Sequence, residues 1–266
     1  MLELTWVTVL ILIISGVIVG FINTLAGGGT VISISVFMFL GLPPLVANGT
    51  NRVPIVFQNL ASAYLYHKKK MVDWKKGFQL SIPIIMGNIV GAIFADYLPS
   101  KYFSYIFAGV VVLFGLSLLF DPKRWLKENP TLQHKPTPAL HYLIYFIMGF
   151  YAGFVHVGVG YFYIGALVLL GGYDLMKANV MKILFVLFSV PFGLSVYAIQ
   201  GNVHWEYGLI HAIGNVIGAY IGVHYAVKKG GTFVRYIILA LVLIVVLQML
   251  DVITTESIVK LLSSGK

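Results

Sequence analysis

The chain has 266 residues, 59% of them hydrophobic and only 10% charged, with a mean hydropathy of +0.92. A soluble domain of that size has no means of covering so much apolar surface, so the composition calls instead for several membrane spans of roughly 20 apolar residues each. The net charge of +9 sits in loops between apolar segments, where it matches the positive-inside bias and anionic lipid rather than nucleic acid. There is no cysteine, hence no disulfide and no thiolate metal site.

Apolar segments run over residues 4–26, 30–40, 44–66, 77–98 and 102–120. A polar stretch from Asp121 to Pro138 follows, and then segments 139–157, 161–170, 174–199, 206–227 and 233–250. The first segment lacks a basic flank and a small-residue cleavage site and is read as a retained span. Segments 30–40 and 161–170 are too short to cross alone. Each follows a glycine break, Gly27-Gly28-Gly29 in one case and Gly158-Val159-Gly160 in the other. Glycine lets the backbone leave helical geometry, and broken backbone at membrane depth survives only in a protein interior or beside a cavity.

The chain also repeats itself. Met86–Ala92 reads MGNIVGA and Ile213–Ala219 reads IGNVIGA; Val72-Asp73-Trp74 returns as Val203-His204-Trp205, and Ala47-Asn48 as Ala178-Asn179. Gly20-Phe21 with Gly27 returns as Gly153-Phe154 with Gly160. The offset runs from 127 residues (Asn88 to Asn215) to 133 (Gly27 to Gly160). A duplicated apolar half is a transporter signature, with the binding site expected where the halves meet. The expected fold is an all-α polytopic membrane protein of two homologous halves, each a glycine-broken or re-entrant helix plus three transmembrane helices. Residues 1–120 form the first membrane repeat, 121–138 a cytoplasmic linker, 139–252 the second repeat and 253–266 a C-terminal tail.

Loop charge orients this scheme. The loop with Lys68, Lys69, Lys70, Lys75 and Lys76 and the one with Lys123, Arg124, Lys127 and Lys135 both belong in the cytoplasm. If each broken helix is re-entrant, the halves are inverted, and Lys177, Lys228, Lys229 and Arg235 join the cytoplasmic side. If each crosses fully, Lys228, Lys229 and Arg235 fall outside, so the charge count favours inversion. Gly16 and Gly20, Gly87 and Gly91, Gly149 and Gly153, and Gly214, Gly218 and Gly222 recur every four residues, spacing that serves close helix packing. Pro54, Pro83 and Pro191 lie inside spans and predict kinks. Trp6, Trp74, Trp125 and Trp205 sit near segment ends, as interfacial anchors do.

Few polar groups are forced into the membrane. Asn48-Gly49-Thr50-Asn51-Arg52 opens the third segment, with Gln58 and Asn59 beyond, and Asn179-Val180-Met181-Lys182 is its counterpart. A buried cation is costly unless paired or hydrated, and the acidic residues all lie near segment ends or in loops. Two such cations beside two glycine breaks, with exposed N–H groups and the positive ends of the helices that follow, describe an anion site. Snorkelling of Arg52 and Lys182 to the interface is the competing account. Asn88 and Asn215 fit helix bridging better than substrate contact. His156 suits ligand contact, proton acceptance or helix bridging. His211 and His224, thirteen residues apart, make no metal site, and no nucleophile elbow, zincin or Walker sequence is present.

These residues give the chain a family likeness. In Gly20-Phe21 through Gly27-Gly28-Gly29, Gly41-Leu42-Pro43-Pro44, Ala47–Arg52 and the basic turn His67–Trp74, with a degraded copy at Ala178-Asn179 and Lys182, it resembles the TauE/SafE sulfite exporter family, also called the toluene-sulfonate-uptake permease family. The resemblance covers nearly the whole chain and rests on the order and spacing of loose motifs. It implies a multi-pass inner-membrane permease for a small sulfur-containing anion such as sulfite, a sulfonate, sulfoacetate or thiosulfate, without a nucleotide-hydrolysing part. The second break departs from the pattern, with Gly158-Val159-Gly160 preceded by a histidine, which argues against symmetric binding by both breaks.

The expected site therefore comprises Arg52 and Lys182 to offset charge; Thr50, Asn51 and Asn179 to donate hydrogen bonds; Gly27, Gly28, Gly29 and Gly160 as backbone lining; and His156 as ligand contact or proton acceptor. Its partners are a small anionic substrate and the lipid bilayer, with self-association left open and neither a cofactor, a metal nor nucleic acid expected. Uniport or proton-linked transport fits the lack of a mid-membrane carboxylate. An anion-selective channel and a non-transporting membrane assembly subunit are the alternatives, and an enzyme is not expected.

Overall fold

The computed structural model describes residues 4–96, 129–133 and 138–249. The expected span 102–120, the charged linker residues 121–128, Lys135, Trp125 and the tail 253–266 lie outside the described residues.

Among the described residues, eight helices of ten residues or more carry the fold: α1 (Trp6–Leu25), α2 (Thr30–Phe39), α3 (Pro44–Lys68), α4 (Trp74–Ile93), α5 (Ala139–Phe154), α6 (Val159–Leu169), α7 (Leu175–Ile199) and α8 (Trp205–Met249). A short 3-10 helix at Phe94–Asp96 and a single α-helical turn at Pro130–Gln133 complete the described elements. The described residues contain no strand. Helices α1, α4, α7 and residues Trp205–Ile237 of α8 are long and apolar enough to cross a bilayer. The segments expected at 206–227 and 233–250 form one run, divided at Gly230, whose φ of 69° and ψ of −170° are not helical.

Start signals are local. The Asp73 carboxylate accepts from Lys76 N at 2.9 Å and Asp174 from Lys177 N at 2.8 Å, the N-caps of α4 and α7. His204, which stands where the first half has Asp73, presents Nδ1 to Tyr207 N (3.4 Å) at the start of α8. Pro54, Pro83 and Pro191 all sit inside helices, as placed.

Each broken helix folds back on itself. Gly29 starts α2 beside Val19 and Asn23 of α1, and Phe37 at its far end clusters with Leu12. With 10 and 11 residues, α2 and α6 are roughly 15 Å long, half the hydrocarbon thickness. The reversals use left-handed backbone at Gly27 (φ 84°), at Gly158 (φ 65°) and at His156 (φ 59°), a side chain that rarely adopts it.

The packing crosses between halves. The most extensive pairings join α1 to α8 and α4 to α5. In the first, Gly16 lies against His211 and Gly214, Gly20 against Asn215, Gly218 against Val17 and Phe21, and Gly222 against Thr24, so the two helices run parallel. In the second, Gly149 meets Ile84, Gly87 meets Phe146 and Phe150, and Gly153 meets Asn88 and Ala92, again in parallel. The central pair is different: Asn48 meets Tyr197, Arg52 lies by Gly193, and Tyr66 faces Asn179. The equivalent helices α3 and α7 thus run antiparallel. By their registers α1, α3 and α8 point one way and α4, α5 and α7 the other.

At these glycines, Gly222 excepted, a Cβ would strike main-chain atoms of the neighbouring helix, which have no rotamer to change. Gly153→Val and Gly214→Val are each expected to destabilise by about 1–3 kcal/mol or more, through overpacking of the α4–α5 and α1–α8 contacts. Lowered melting temperature in detergent and loss of the monodisperse peak check this; unchanged melting of both would refute the close approach.

Candidate functional site

The two reversals meet each other. Gly27 and Gly160, equivalent in the repeat, touch Cα to Cα so closely that neither position has room for a side chain. Around this contact lies a cavity of about 20 Å³, enough for roughly one water molecule. Its polar wall is Asn23 and Thr30 from the first reversal, Gln58 and Asn59 from α3, His156 from the second reversal and Lys182 from α7. Thr30 opens α2, and Val159 and Gly160 open α6. Both short helices therefore present their positive N-terminal ends to the cavity.

The cations do not snorkel. Arg52 is fully buried and Lys182 is 2% exposed. Each instead reaches across to the other half and binds the carbonyl end of its broken helix. Lys182 Nζ donates to Asn23 O at 2.7 Å and Thr24 O at 3.4 Å, at the end of α1. Arg52 donates to Ala152 O at 3.1 Å and, in a short bond, to Gly153 O, at the end of α5, and its guanidinium lies 4.4 Å over the Tyr197 ring. The equivalent asparagines assist: Asn48 donates to Phe154 O at 2.8 Å and Asn179 to Thr24 O at 2.9 Å. These orphan carbonyls have no intrahelical partner, and a cation at a helix C-terminus is favoured by the dipole.

Of the expected site residues, the structure brings Gly27, His156, Gly160 and Lys182 to the cavity. Gly28 lies under the Tyr161 hydroxyl, and Gly29 donates its N–H to Asn23 Oδ1 at 2.7 Å. Thr50 Oγ1 is an acceptor for His204 N at 2.8 Å, tying α3 to the α7–α8 connection rather than facing the cavity. Asn179 is engaged as described. Asn51 is fully buried, and neither end of its amide has a hydrogen-bond partner. His156 places Nδ1 3.2 Å from Ala152 O; a carbonyl only accepts, so Nδ1 carries the proton and Nε2 is left to meet a cavity occupant.

Asn23, Thr30, Gln58 and Asn59 were absent from the expected site. The signal for the α3 pair is helical periodicity, since Gln58 and Asn59 lie seven and eight positions beyond Asn51 on one face. The repeat asparagines also differ from expectation. Asn215 bonds within its own helix, to the His211 ring and His211 O, and Asn88 has no hydrogen-bond partner, so neither bridges helices by its side chain.

The family model for sulfite exporter TauE/SafE matches residues 12–249. The chain belongs to that family. A probable membrane transporter protein of Sinorhizobium, ORF9, is 28% identical over 84% of this chain and 85% of its own length. One from Haemophilus influenzae is 27% identical over 85% of this chain and 88% of its own. YunE of Bacillus subtilis, another probable membrane transporter, is 27% identical over 80% and 86%. No solved structure matches the chain. The protein is thus a multi-pass membrane transporter of the TauE/SafE family.

Truncating a cation therefore has a structural consequence. Replacing Lys182 by Met leaves Asn23 O and Thr24 O without their cap, at about 1–3 kcal/mol for buried acceptors left unpaired. Lys182→Met should lower the melting temperature. A variant that melts like the parent would show that the cap contributes nothing.

Proposed function

We propose that this transporter carries a small sulfur oxyanion, of the sulfite, sulfonate or thiosulfate class, across the cytoplasmic membrane by way of the cavity between the two broken helices. The single observation that carries the reading is the meeting of two half-helix N-termini and a buried lysine in one cavity at the junction of the halves. Two positive helix ends and Lys182 attract an anion, while Thr30, Gln58 and Asn59 offer donors to its oxygens. The family's name points to sulfite as the first substrate to try.

We further infer that the halves are inverted repeats in the membrane, on the support of the antiparallel α3–α7 pair. The basic α3–α4 loop then faces the cytoplasm and the α7–α8 connection the outside. On the cytoplasmic side a hollow of about 320 Å³, lined by Lys76, Lys177 and Met181 among others, comes within one residue of Lys182. On the outer side the Thr50–His204 bond draws the α7–α8 connection onto α3. A site reached from one side at a time describes a carrier that alternates access.

The inside-negative potential favours anion export by about 2.3 kcal/mol per charge per 100 mV, so uniport suffices. The cavity nitrogen of His156 suits a protonated oxyanion, or takes up a proton with the anion. Purified protein in liposomes should move sulfite in a saturable, electrogenic way with counterflow; a requirement for a sodium gradient would refute uniport, and single-channel currents would refute the carrier. Where flux depends on a proton gradient, His156→Asn, which copies Asn23 of the first half, should keep flux and remove that dependence. Because the chain has no cysteine, Lys69→Cys and Gln200→Cys report topology directly: an impermeant maleimide should label the first only from the cytoplasm and the second only from outside. Labelling of both from one face would overturn the inverted arrangement.

A further inference from the structure

The cavity is not shared equally between the halves. The repeat pairs Thr30 with Tyr163 (offset 133), and Gln58 with Ser189 and Asn51 with Lys182 (offset 131). Thr30, Gln58 and Lys182 line the cavity. Their counterparts Tyr163, Ser189 and Asn51 are each fully buried, and none of their side-chain polar atoms makes a hydrogen bond: not the Tyr163 hydroxyl, not Ser189 Oγ, and neither end of the Asn51 amide. Arg52, the next residue after Asn51, keeps Nε unpaired as well. The Tyr163 hydroxyl lies near Ser189, and no contact of full hydrogen-bond geometry joins the two.

Buried polar side chains are partnered almost without exception, because an unpaired one loses its hydration for nothing. Each of the three also has an apolar counterpart of similar shape: phenylalanine, alanine and leucine. Their concentration at positions equivalent to the cavity wall gives a set of neutral donors beside a fixed guanidinium, the chemistry that receives an oxyanion's oxygens. We propose that Tyr163, Ser189 and Asn51, backed by Arg52, form a second oxyanion half-site, and that the transported anion is handed between it and the Thr30–Gln58–Lys182 half-site across the Gly27–Gly160 contact. This rests on the oxyanion reading above and adds residues to it. The two half-sites differ in charge: a lysine faces the first, whereas hydroxyls and an amide face the second.

The test uses the whole protein in liposomes and detergent, with sulfite, thiosulfate and methanesulfonate as probes. Tyr163→Phe and Ser189→Ala each delete one oxygen and little volume. Their ligand-free melting temperature should equal or exceed that of the parent, since neither hydroxyl has a partner to lose. Flux of the bound probe should fall about tenfold for each, as expected for one hydrogen bond to a charged ligand. Thr30→Val and Gln58→Leu test the first half-site in parallel. If these two lose flux while Tyr163→Phe and Ser189→Ala transport normally, the second half-site is wrong and the transport reading stands. Loss of flux together with a lowered ligand-free melting temperature in Tyr163→Phe and Ser189→Ala would make the hydroxyls structural and overturn the proposal. If none of the three anions stabilises the parent protein and all four variants behave like it, the oxyanion reading itself falls and takes the half-site with it.

Discussion

The structure depends on an exchange of caps between its halves. A helix broken in mid-membrane leaves carbonyls that neither water nor lipid can satisfy. Lys182 of the second half binds those of α1, and Arg52 of the first half binds those of α5. A cation buried here is costly on its own, and broken carbonyls are costly on their own. Set together with the negative end of a helix dipole, each offsets the other. The bond crosses between halves, so neither broken helix is complete without the opposite repeat.

That exchange also sorts charge around the cavity. The C-terminal ends of α1 and α5 are neutralised by cations and asparagines, while the N-terminal ends of α2 and α6 are left facing inwards. The lining at the Gly27–Gly160 contact thus holds two helix N-termini and Lys182, and no Asp or Glu among the described residues. The glycines serve the same end by another route. Where α1 meets α8 and α4 meets α5, main chain lies against main chain, which brings the repeats close enough for side chains as short as asparagine to span them.

Much of this was legible from residues. The glycine breaks, the two short segments, the four-residue glycine spacing and the matched asparagines all follow from backbone chemistry that acts locally. Gly27, His156, Gly160 and Lys182 line the cavity. Thr50 and Asn179 do not, because each is held by main chain of a distant segment, His204 N and Thr24 O, and no spacing rule announces a partner some 150 residues away. The same limit hid the role of the cations. A lysine eight residues into an apolar segment reads equally as snorkelling, as ligand binding or as a cap, and only the position of the α1 terminus decides between them.

By itself, then, the sequence determined that this is a duplicated, helical, membrane-embedded chain with two interrupted helices, because hydropathy, segment length and glycine breaks are properties of a segment and its solvent. Only the tertiary structure decided which groups line the cavity and which are consumed in holding it together. That choice is made by contacts between the halves: Gly27 on Gly160, Lys182 on α1, Arg52 on α5. A repeat makes the two halves look alike in sequence, yet in the fold Thr30 and Gln58 stand at a cavity while their counterparts Tyr163 and Ser189 are buried without a bond.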